Sequence, residues 1–268
     1  MPLPDTRPRN QYLERGWVSF PADAAMQRWA AHARPFAAAA AKDPAQSHWL
    51  RCGGTWFVGV DALPNDGKGQ IGNGPPLAGA AMDFVLSALC LNLPFHRAQV
   101  SVCYPGYPKP SPEESEAAHD FRRRRDAAHV DGLLAEGPGK RRRLKEPHAY
   151  ILGICLTEQS PDAAPLAVWD GSHRIMGSMF RKMFAGYPPE SWDGIDVTAA
   201  YQEARRSVFA TCLRRELPGG PGDAVLLHRH LLHGVAPWGA GAKASPEGRM
   251  VAYFRPEFTM PGDWLDHA

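Results

Sequence analysis

The chain has 268 residues, of which 44% are hydrophobic and 22% charged, and its formal net charge is +2. This is the composition of an ordinary globular protein that can bury a large core, and the lack of a linker-like stretch favours a single domain over residues 1–268. No run of about 18 apolar residues could span a membrane, and no apolar signal segment follows the charged N-terminus. We therefore expect a cytoplasmic protein without a membrane partner.

Cysteines and basic residues limit the classes of partner. The five cysteines are widely spaced and none lies in a CxxC pair, so we expect reduced, mostly buried thiols. Basic residues form two runs, 122–125 and 140–143, without the interleaved aromatic side chains that favour nucleic-acid binding. We expect no nucleic-acid partner. The runs are either a solvated surface or a charged rim that attracts an anionic substrate or cosubstrate.

Two segments near the N-terminus have helical patterns. Residues 23–41 repeat apolar residues at helical spacing, with Asp23 as a cap and Pro35 as a kink or end. Residues 77–92 are apolar nearly all round and end before Pro94, which predicts a buried helix. The N-terminal part, about 1–95, is therefore predicted to be helical.

From about residue 97 the pattern changes to short apolar segments separated by Pro, Gly and Asp. These segments are AQVSVCY, AYILGICL, PLAVW, DAVLLH and RMVAYF. Such a succession predicts an all-β core, a sandwich, jelly roll or barrel. Residues 175–215 are a long insertion, partly helical near 198–209, which either carries substrate contacts or is a surface excursion.

Two of these segments contain candidate metal ligands. In AAHVDG, His129 and Asp131 lie on one face of an extended segment, about 7 Å apart along the chain. By itself this pair is equally a structural histidine beside a turn-forming aspartate. Histidines at 228, 230 and 233 follow a later strand. Two histidines and one carboxylate are the ligand set of non-haem Fe(II) oxygenases, which leaves positions free for a 2-oxo acid and dioxygen.

Arginines in the last strand can serve the same site. Arg249 begins the segment RMVAYFRP, and alternation places Arg255 on the same face. A planar guanidinium in the cavity can hold the distal carboxylate of 2-oxoglutarate through two hydrogen bonds. We favour Arg249 because it is nearer to the histidine-bearing turn.

The ordered set HVDG, LLHGVAP and GRMVAYFRP, with DGSHR at 170–174, resembles the phytanoyl-CoA dioxygenase-like family of Fe(II)/2-oxoglutarate oxygenases. The resemblance covers about residues 97–258, and DGSH stands where the family has PGSH. It implies a mainly β fold, a double-stranded β-helix of the jelly-roll or cupin type with N-terminal α-helices. It also implies Fe(II) held by His129, Asp131 and His233, with 2-oxoglutarate held by Arg249 and hydrogen-bonded by Gln99.

The activity implied by the resemblance is O2-dependent hydroxylation of a small molecule, with succinate and CO2 released from 2-oxoglutarate. Asp131 favours hydroxylation over halogenation, because the related halogenases lack this carboxylate. The alternatives are a cupin-like metalloenzyme that does not use 2-oxoglutarate and a non-catalytic binding protein on the same fold. His173, His228 and His230 are expected to be structural. The sequence leaves the substrate and the oligomeric state open.

Overall fold

The computed structural model describes residues 6–112 and 114–267. Its helices are α1 (Arg7–Arg15), α2 (Ala24–Lys42), α3 (Ala80–Ser87), α4 (Glu116–Arg124), α5 (Ser172–Phe184), α6 (Thr198–Thr211) and α7 (Asp263–Asp266). Its strands are β1 (Trp17–Phe20), β2 (Leu50–Arg51), β3 (Trp56–Gly59), β4 (Gln99–Cys103), β5 (Leu133–Glu136), β6 (Arg141–Leu144), β7 (Tyr150–Cys155), β8 (Leu166–Trp169), β9 (Arg214–Leu217), β10 (Ala224–His228), β11 (His233–Val235) and β12 (Arg249–Phe254).

Two antiparallel sheets form the centre of the described chain. The larger sheet has the strand order β1-β10-β7-β12-β4-β3-β2, and the smaller sheet has the order β11-β8-β9. Side chains from both sheets line the same internal cavities, which therefore lie between the sheets. β5 and β6 pair as a separate hairpin.

The first predicted helix is confirmed as α2. Its N-terminus is capped by the Asp23 carboxylate, which accepts hydrogen bonds from the backbone N–H groups of Ala25 and Met26. The residues at helical spacing are buried, Trp29 among them. Pro35 lies inside the helix and does not end it.

The prediction of a buried helix over residues 77–92 is wrong in length and in burial. α3 is much shorter, and Leu86 on its outer face is 48% exposed. Leu89 and Leu91 are buried, but Cys90 between them has a left-handed φ of 54°. That conformation does not continue a helix, so the apolar residues after α3 pack into the core as an irregular segment.

The N-terminal part is not only helical, contrary to the prediction. β1, β2 and β3 precede residue 95, and all three join the larger sheet. β1 pairs with β10, whereas β3 pairs with β4 towards the other edge. Because side chains alternate along β3, Phe57 is buried in the main core while Trp56 and Val58 face an internal cavity.

The insertion between β8 and β9 forms α5 and α6, which pack against each other. The predicted helix near 198–209 is therefore confirmed. No helix within residues 6–112 and 114–267 has both the length and the apolar character needed to cross a membrane.

Candidate metal and cosubstrate site

The backbones of His129 and His233 are joined by two reciprocal hydrogen bonds. The His129 N–H donates to the His233 carbonyl oxygen at 2.8 Å, and the His233 N–H donates to the His129 carbonyl oxygen at 3.0 Å. His233 begins β11, but residues 129–131 belong to no strand, unlike the extended strand expected from the sequence. The reciprocal bridge takes the place of that strand and brings two segments distant in sequence to one point.

A glycine directly follows Asp131 and another directly follows His233, and both are required for steric reasons. A Cβ atom added at Gly132 would lie 2.1 Å from the Glu146 carbonyl oxygen, and one added at Gly234 would lie 2.1 Å from the Asp126 carbonyl oxygen. Gly132 also has a φ of +81°. Other residues do not fit such close backbone approaches, which explains the DG and HG pairs of the sequence.

The turn before His129 is held by residues that sequence reasoning missed. Asp126 and Ala127 both have left-handed φ angles, of 54° and 52°, a strained conformation for residues with side chains. The buried Asp126 carboxylate accepts two hydrogen bonds from Arg214, at 2.6 and 2.9 Å. From α6, the Tyr201 hydroxyl accepts a hydrogen bond from the Val130 N–H at 3.0 Å. Three long-range contacts therefore fix the segment that carries two of the candidate ligands.

Both imidazole rings are oriented by their own backbone. His129 Nδ1 lies 3.0 Å from the Ala127 carbonyl oxygen, and His233 Nδ1 lies 2.9 Å from the Leu231 carbonyl oxygen. A carbonyl oxygen only accepts hydrogen bonds, so each Nδ1 carries the proton and each neutral ring has its lone pair on Nε2.

The two Nε2 atoms converge on Asp131. Oδ1 of Asp131 lies 3.1 Å from His129 Nε2 and 3.7 Å from His233 Nε2, and the ligand atoms of all three residues lie within 4.8 Å of one another. Two lone pairs and a carboxylate oxygen facing one point form an arrangement that can bind a cation. Ligand separations of about 3 Å fit neighbouring positions around a metal with bonds of about 2.1 Å. The residues therefore fit a divalent metal with the predicted ligand set.

The protonation states also suit metal binding. Burial raises the pKa of Asp131, but its close contact with His129 and the neighbouring His233 and Arg255 side chains outweigh burial and hold this pKa well below its ordinary value. Burial lowers the pKa of His233 to about 4. At neutral pH the carboxylate is ionised and the imidazole is neutral, which are the forms that bind metals.

The candidate ligands open into a cavity of about 220 Å³ between the sheets, which we call the triad cavity. Its walls include Gln99 at the start of β4 and Ser101 on the same strand. Arg255 also lines it, with Nη1 3.5 Å from Asp131 Oδ2. This contact was not predicted from the sequence.

Arg249, the first residue of β12, lines a different cavity, of about 260 Å³, from the one lined by Arg255, which directly follows β12. Leu166 and Tyr253 line both cavities and stand between them. The Arg249 side chain is buried, and its guanidinium contacts the Tyr253 hydroxyl. Its Nε and Nη1 atoms have no hydrogen-bond partner among the described residues. A buried cation without an anionic partner is costly, so this arrangement is suited to binding an anionic ligand.

The remaining histidines of the motif lie elsewhere. His173, His228 and His230 form a cluster in which His173 and His230 are buried. The His228 ring centroid lies 4.9 Å from that of His173 and 5.1 Å from that of His230. His173 Nε2 lies 3.2 Å from the Leu13 carbonyl oxygen, and the His230 N–H donates to His228 Nδ1 at 3.0 Å. The structure does not bring these rings to the triad, and a structural role for them stays a prediction.

Acidic neighbours pair with much of the charge of the two basic runs. The ion pairs are Arg122–Glu114, Arg124–Asp120, Arg141–Asp196 and Arg143–Glu136. The described residues that line the triad cavity include none from either run. Arg122 and Lys140 instead line a neighbouring groove.

No protein-family model and no curated protein matches this sequence. Among solved structures, the non-haem α-ketoglutarate-dependent carbocyclase SnoK from nogalamycin biosynthesis is similar over 95% of this chain and 83% of its own, with 12% identity and a TM-score of 0.50. The fold is a double-stranded β-helix. This confirms the predicted fold class, with helices flanking a mainly β core.

Two further similar structures were solved with ligands. EctD from S. alaskensis, with bound Fe, is similar over 94% of this chain and 76% of its own, at 14% identity and a TM-score of 0.45. HygX from Streptomyces hygroscopicus, with nickel, 2-oxoglutarate and hygromycin B, is similar over 94% of this chain and 88% of its own, at 13% identity and a TM-score of 0.44. Because SnoK is a carbocyclase, the shared fold does not by itself select hydroxylation.

Proposed function

We propose that this protein is an Fe(II)- and 2-oxoglutarate-dependent oxygenase that hydroxylates a small molecule. The observation that carries the proposal is the convergence of two Nε2 lone pairs and one carboxylate oxygen on a single point. When bound, the iron supplies the activation of dioxygen and the oxidative decarboxylation of 2-oxoglutarate to succinate and CO2. The presence of Asp131 favours hydroxylation over halogenation, because the related halogenases lack this carboxylate.

The protein's own residues would bind the metal and the cosubstrate, orient them, and keep water away from the reacting atoms. His129, Asp131 and His233 would hold the metal, with the Nδ1–H groups of both histidines fixing the rings. Gln99, from β4, would donate its side-chain amide to the cosubstrate within the triad cavity. The apolar walls, including Ile151 and Val235, would keep water from the reacting atoms.

The experiment that tests the proposal is an anaerobic titration of the purified protein with Fe(II) and 2-oxoglutarate. We expect the weak visible charge-transfer absorption of the metal–2-oxo acid chelate. The band should be absent in His129→Ala and Asp131→Ala and present in His96→Ala, which removes an exposed histidine outside the site.

The other outcomes of this titration favour other functions. Metal binding without the band would favour a cupin-like metalloenzyme that does not use 2-oxoglutarate. Failure to bind any divalent metal would favour a binding protein on the same fold. An unaltered band in Asp131→Ala would contradict the ligand assignment.

We assign the distal carboxylate of 2-oxoglutarate to Arg249. Support comes from its buried guanidinium, with two nitrogen atoms lacking a partner among the described residues, and from the adjacent Tyr253 hydroxyl. A planar guanidinium can donate two hydrogen bonds to one carboxylate. The cosubstrate would therefore extend from the triad past Tyr253, which lies between the two cavities.

Arg249→Met should weaken 2-oxoglutarate binding about tenfold to a hundredfold, because a charge-assisted hydrogen bond contributes about 1.5–3 kcal/mol. Metal affinity should remain unchanged, since Arg249 does not contact the ligands. Calorimetric titration of 2-oxoglutarate into the Ni(II)-loaded variant measures the effect. If Arg255→Met loses 2-oxoglutarate while Arg249→Met keeps it, Arg255 is the anchor.

A further inference from the structure

A second concave surface adjoins the triad cavity. This surface, the entrance groove, has a volume of about 710 Å³ and is lined by Trp49, Arg51, Trp56, Val58, Arg122 and Lys140, among others. Trp56 and Val58 line the triad cavity as well. A molecule in the groove can therefore extend along the Trp56 side chain towards the candidate metal ligands.

The shared wall is fixed by β3. Alternation along this strand turns Trp56 and Val58 to the cavity side. The Trp56 indole N–H donates to the Ser101 hydroxyl at 3.0 Å, and its ring packs edge-on against Tyr107 at 5.8 Å between centroids. The indole is thus a held aromatic surface at the boundary of the two spaces.

The groove carries unpaired positive charge. Its acidic member, Glu114, accepts two hydrogen bonds from Arg122, at 3.1 and 2.7 Å, so these two side chains neutralise each other. Across residues 6–112 and 114–267, no carboxylate oxygen lies within 4.0 Å of the Arg51 guanidinium or the Lys140 ammonium group. Two cations therefore face the groove without an acidic partner.

Arg51 is positioned by the protein itself. Its guanidinium donates to the carbonyl oxygens of His48 and Leu50 and lies 5.7 Å from the centroid of the Trp49 ring. Carbonyl groups orient a guanidinium without cancelling its charge. The groove therefore combines two indole rings with oriented positive charge.

We propose that the entrance groove binds the substrate, and that this substrate combines a planar ring system with an anionic group, a carboxylate or a phosphate. The ring packs on the indole surfaces of Trp49 and Trp56, and the anion pairs with Arg51 and Lys140. That the bound molecule is a substrate rests on the proposed oxygenase function. Its ring-plus-anion chemistry rests on the groove alone.

The test uses four probes of matched size or charge and the Ni(II)-loaded protein with saturating 2-oxoglutarate, so that carboxylate probes do not occupy the cosubstrate site. 2-Naphthoate and 2-naphthyl phosphate carry ring and anion, 2-naphthamide lacks the charge, and hexanoate lacks the ring. Calorimetry gives each Kd. We expect 2-naphthoate or 2-naphthyl phosphate to bind about tenfold tighter than 2-naphthamide, since two partly exposed ion pairs contribute modestly each, and tighter than hexanoate. The tighter of the two anionic probes identifies the anion.

The double variant Arg51→Gln with Lys140→Gln should bring the anionic probes to parity with 2-naphthamide. A matched control, Arg206→Gln with Lys42→Gln, removes two exposed cations outside the groove and should change nothing. Equal binding of 2-naphthoate, 2-naphthyl phosphate and 2-naphthamide to the parent protein, or an unchanged preference in the double variant, would overturn the inference. Because formation of the Fe(II)–2-oxoglutarate band is measured separately, failure of the groove proposal is distinguishable from failure of the oxygenase proposal.

Discussion

Asp131 uses its two carboxylate oxygen atoms for different partners. Oδ1 faces the two imidazole Nε2 atoms, whereas Oδ2 faces Arg255 Nη1 at 3.5 Å. A cation beside one oxygen orients the carboxylate and leaves the other oxygen for the metal. We therefore expect Arg255 to be a positioning residue for the metal ligand.

Arg255→Met should lower the affinity for a divalent metal about tenfold to a hundredfold, as is typical when a group that orients a ligand is removed. Competition of Co(II) with a chromophoric chelator measures this directly. Arg249→Met is the matched control, because its guanidinium lies in the other cavity, and it should keep the parent affinity. An Arg255→Met protein with parent metal affinity would exclude the positioning role.

The residue types of the site could be predicted, but their depth in the barrel could not. The order HVDG, LLHGVAP and GRMVAYFRP was enough to propose three ligands that the structure brings together. Strand alternation predicted Arg249 and Arg255 on one face. It could not indicate that β12 is long enough for them to open into separate cavities, because that depends on how the two sheets close around Tyr253.

At the scale of elements, Asp23 joins two helices. Its Oδ1 accepts from the N–H groups of Ala25 and Met26 at the start of α2, and its Oδ2 accepts from the Ala80 N–H at the start of α3 at 2.8 Å. Gly79, at a φ of +119°, approaches the same carboxylate so closely that an added Cβ would lie 2.3 Å from Oδ2. One side chain therefore caps both helix ends.

Asp23→Ala should lower the free energy of unfolding by about 1–2 kcal/mol for the α2 cap alone, and further because the Ala80 N–H loses its acceptor. Asp23→Asn keeps one acceptor oxygen and should have an intermediate effect. Urea denaturation of both variants, with Asp43→Ala as a control at an exposed 3₁₀ turn, gives the ranking. Equal stability of Asp23→Ala and Asp43→Ala would contradict the double cap.

Local patterns identified α2 and α6 because their apolar spacing and caps are contained in a few consecutive residues. They did not identify β1, β2 and β3, which are four residues long or shorter. β1 is a strand because it pairs with β10, a partner some two hundred residues later by the numbering. Such a strand depends on the partner sheet rather than on its own propensity.

At the scale of the whole molecule, the larger sheet joins the N-terminal and C-terminal parts of the chain, because β1 pairs with β10. The histidine cluster lies beside this junction, since His173, in the first turn of α5, contacts the Leu13 carbonyl oxygen of α1. Burial lowers the pKa of His173 to about 4 and holds the pKa values of His228 and His230 well below the ordinary value. The positive charges of Arg229 and Arg181 add to this effect for His228 and His230.

These pKa values predict a loss of stability in mild acid. The unfolded chain takes up protons near pH 6.5, whereas the folded His173 stays neutral down to about pH 4. The contribution of this group to the free energy of unfolding is therefore constant above pH 6.5. As the pH decreases from 6.5, each such histidine lowers the free energy of unfolding by about 1.4 kcal/mol per pH unit. The urea midpoint of the metal-free protein should therefore be lower at pH 5.0 than at pH 7.5.

His173→Gln keeps a donor for the Leu13 carbonyl oxygen but does not titrate, so its loss of stability between pH 7.5 and 5.0 should be smaller by about 2 kcal/mol. His96→Gln, which changes an exposed histidine, should show the parent pH dependence. If His173→Gln also shows the parent dependence, His173 is not a source of the acid sensitivity.

The reciprocal backbone bridge between His129 and His233 has a consequence for the metal-free protein. Two candidate ligands from distant parts of the chain are joined by amide hydrogen bonds that do not involve a metal. Their amide hydrogens should therefore exchange slowly with solvent deuterium whether or not metal is present. A chelator should remove the ion without separating the candidate ligands, so metal can leave and return while the protein stays folded. The free energy of metal binding is then not needed to close the barrel.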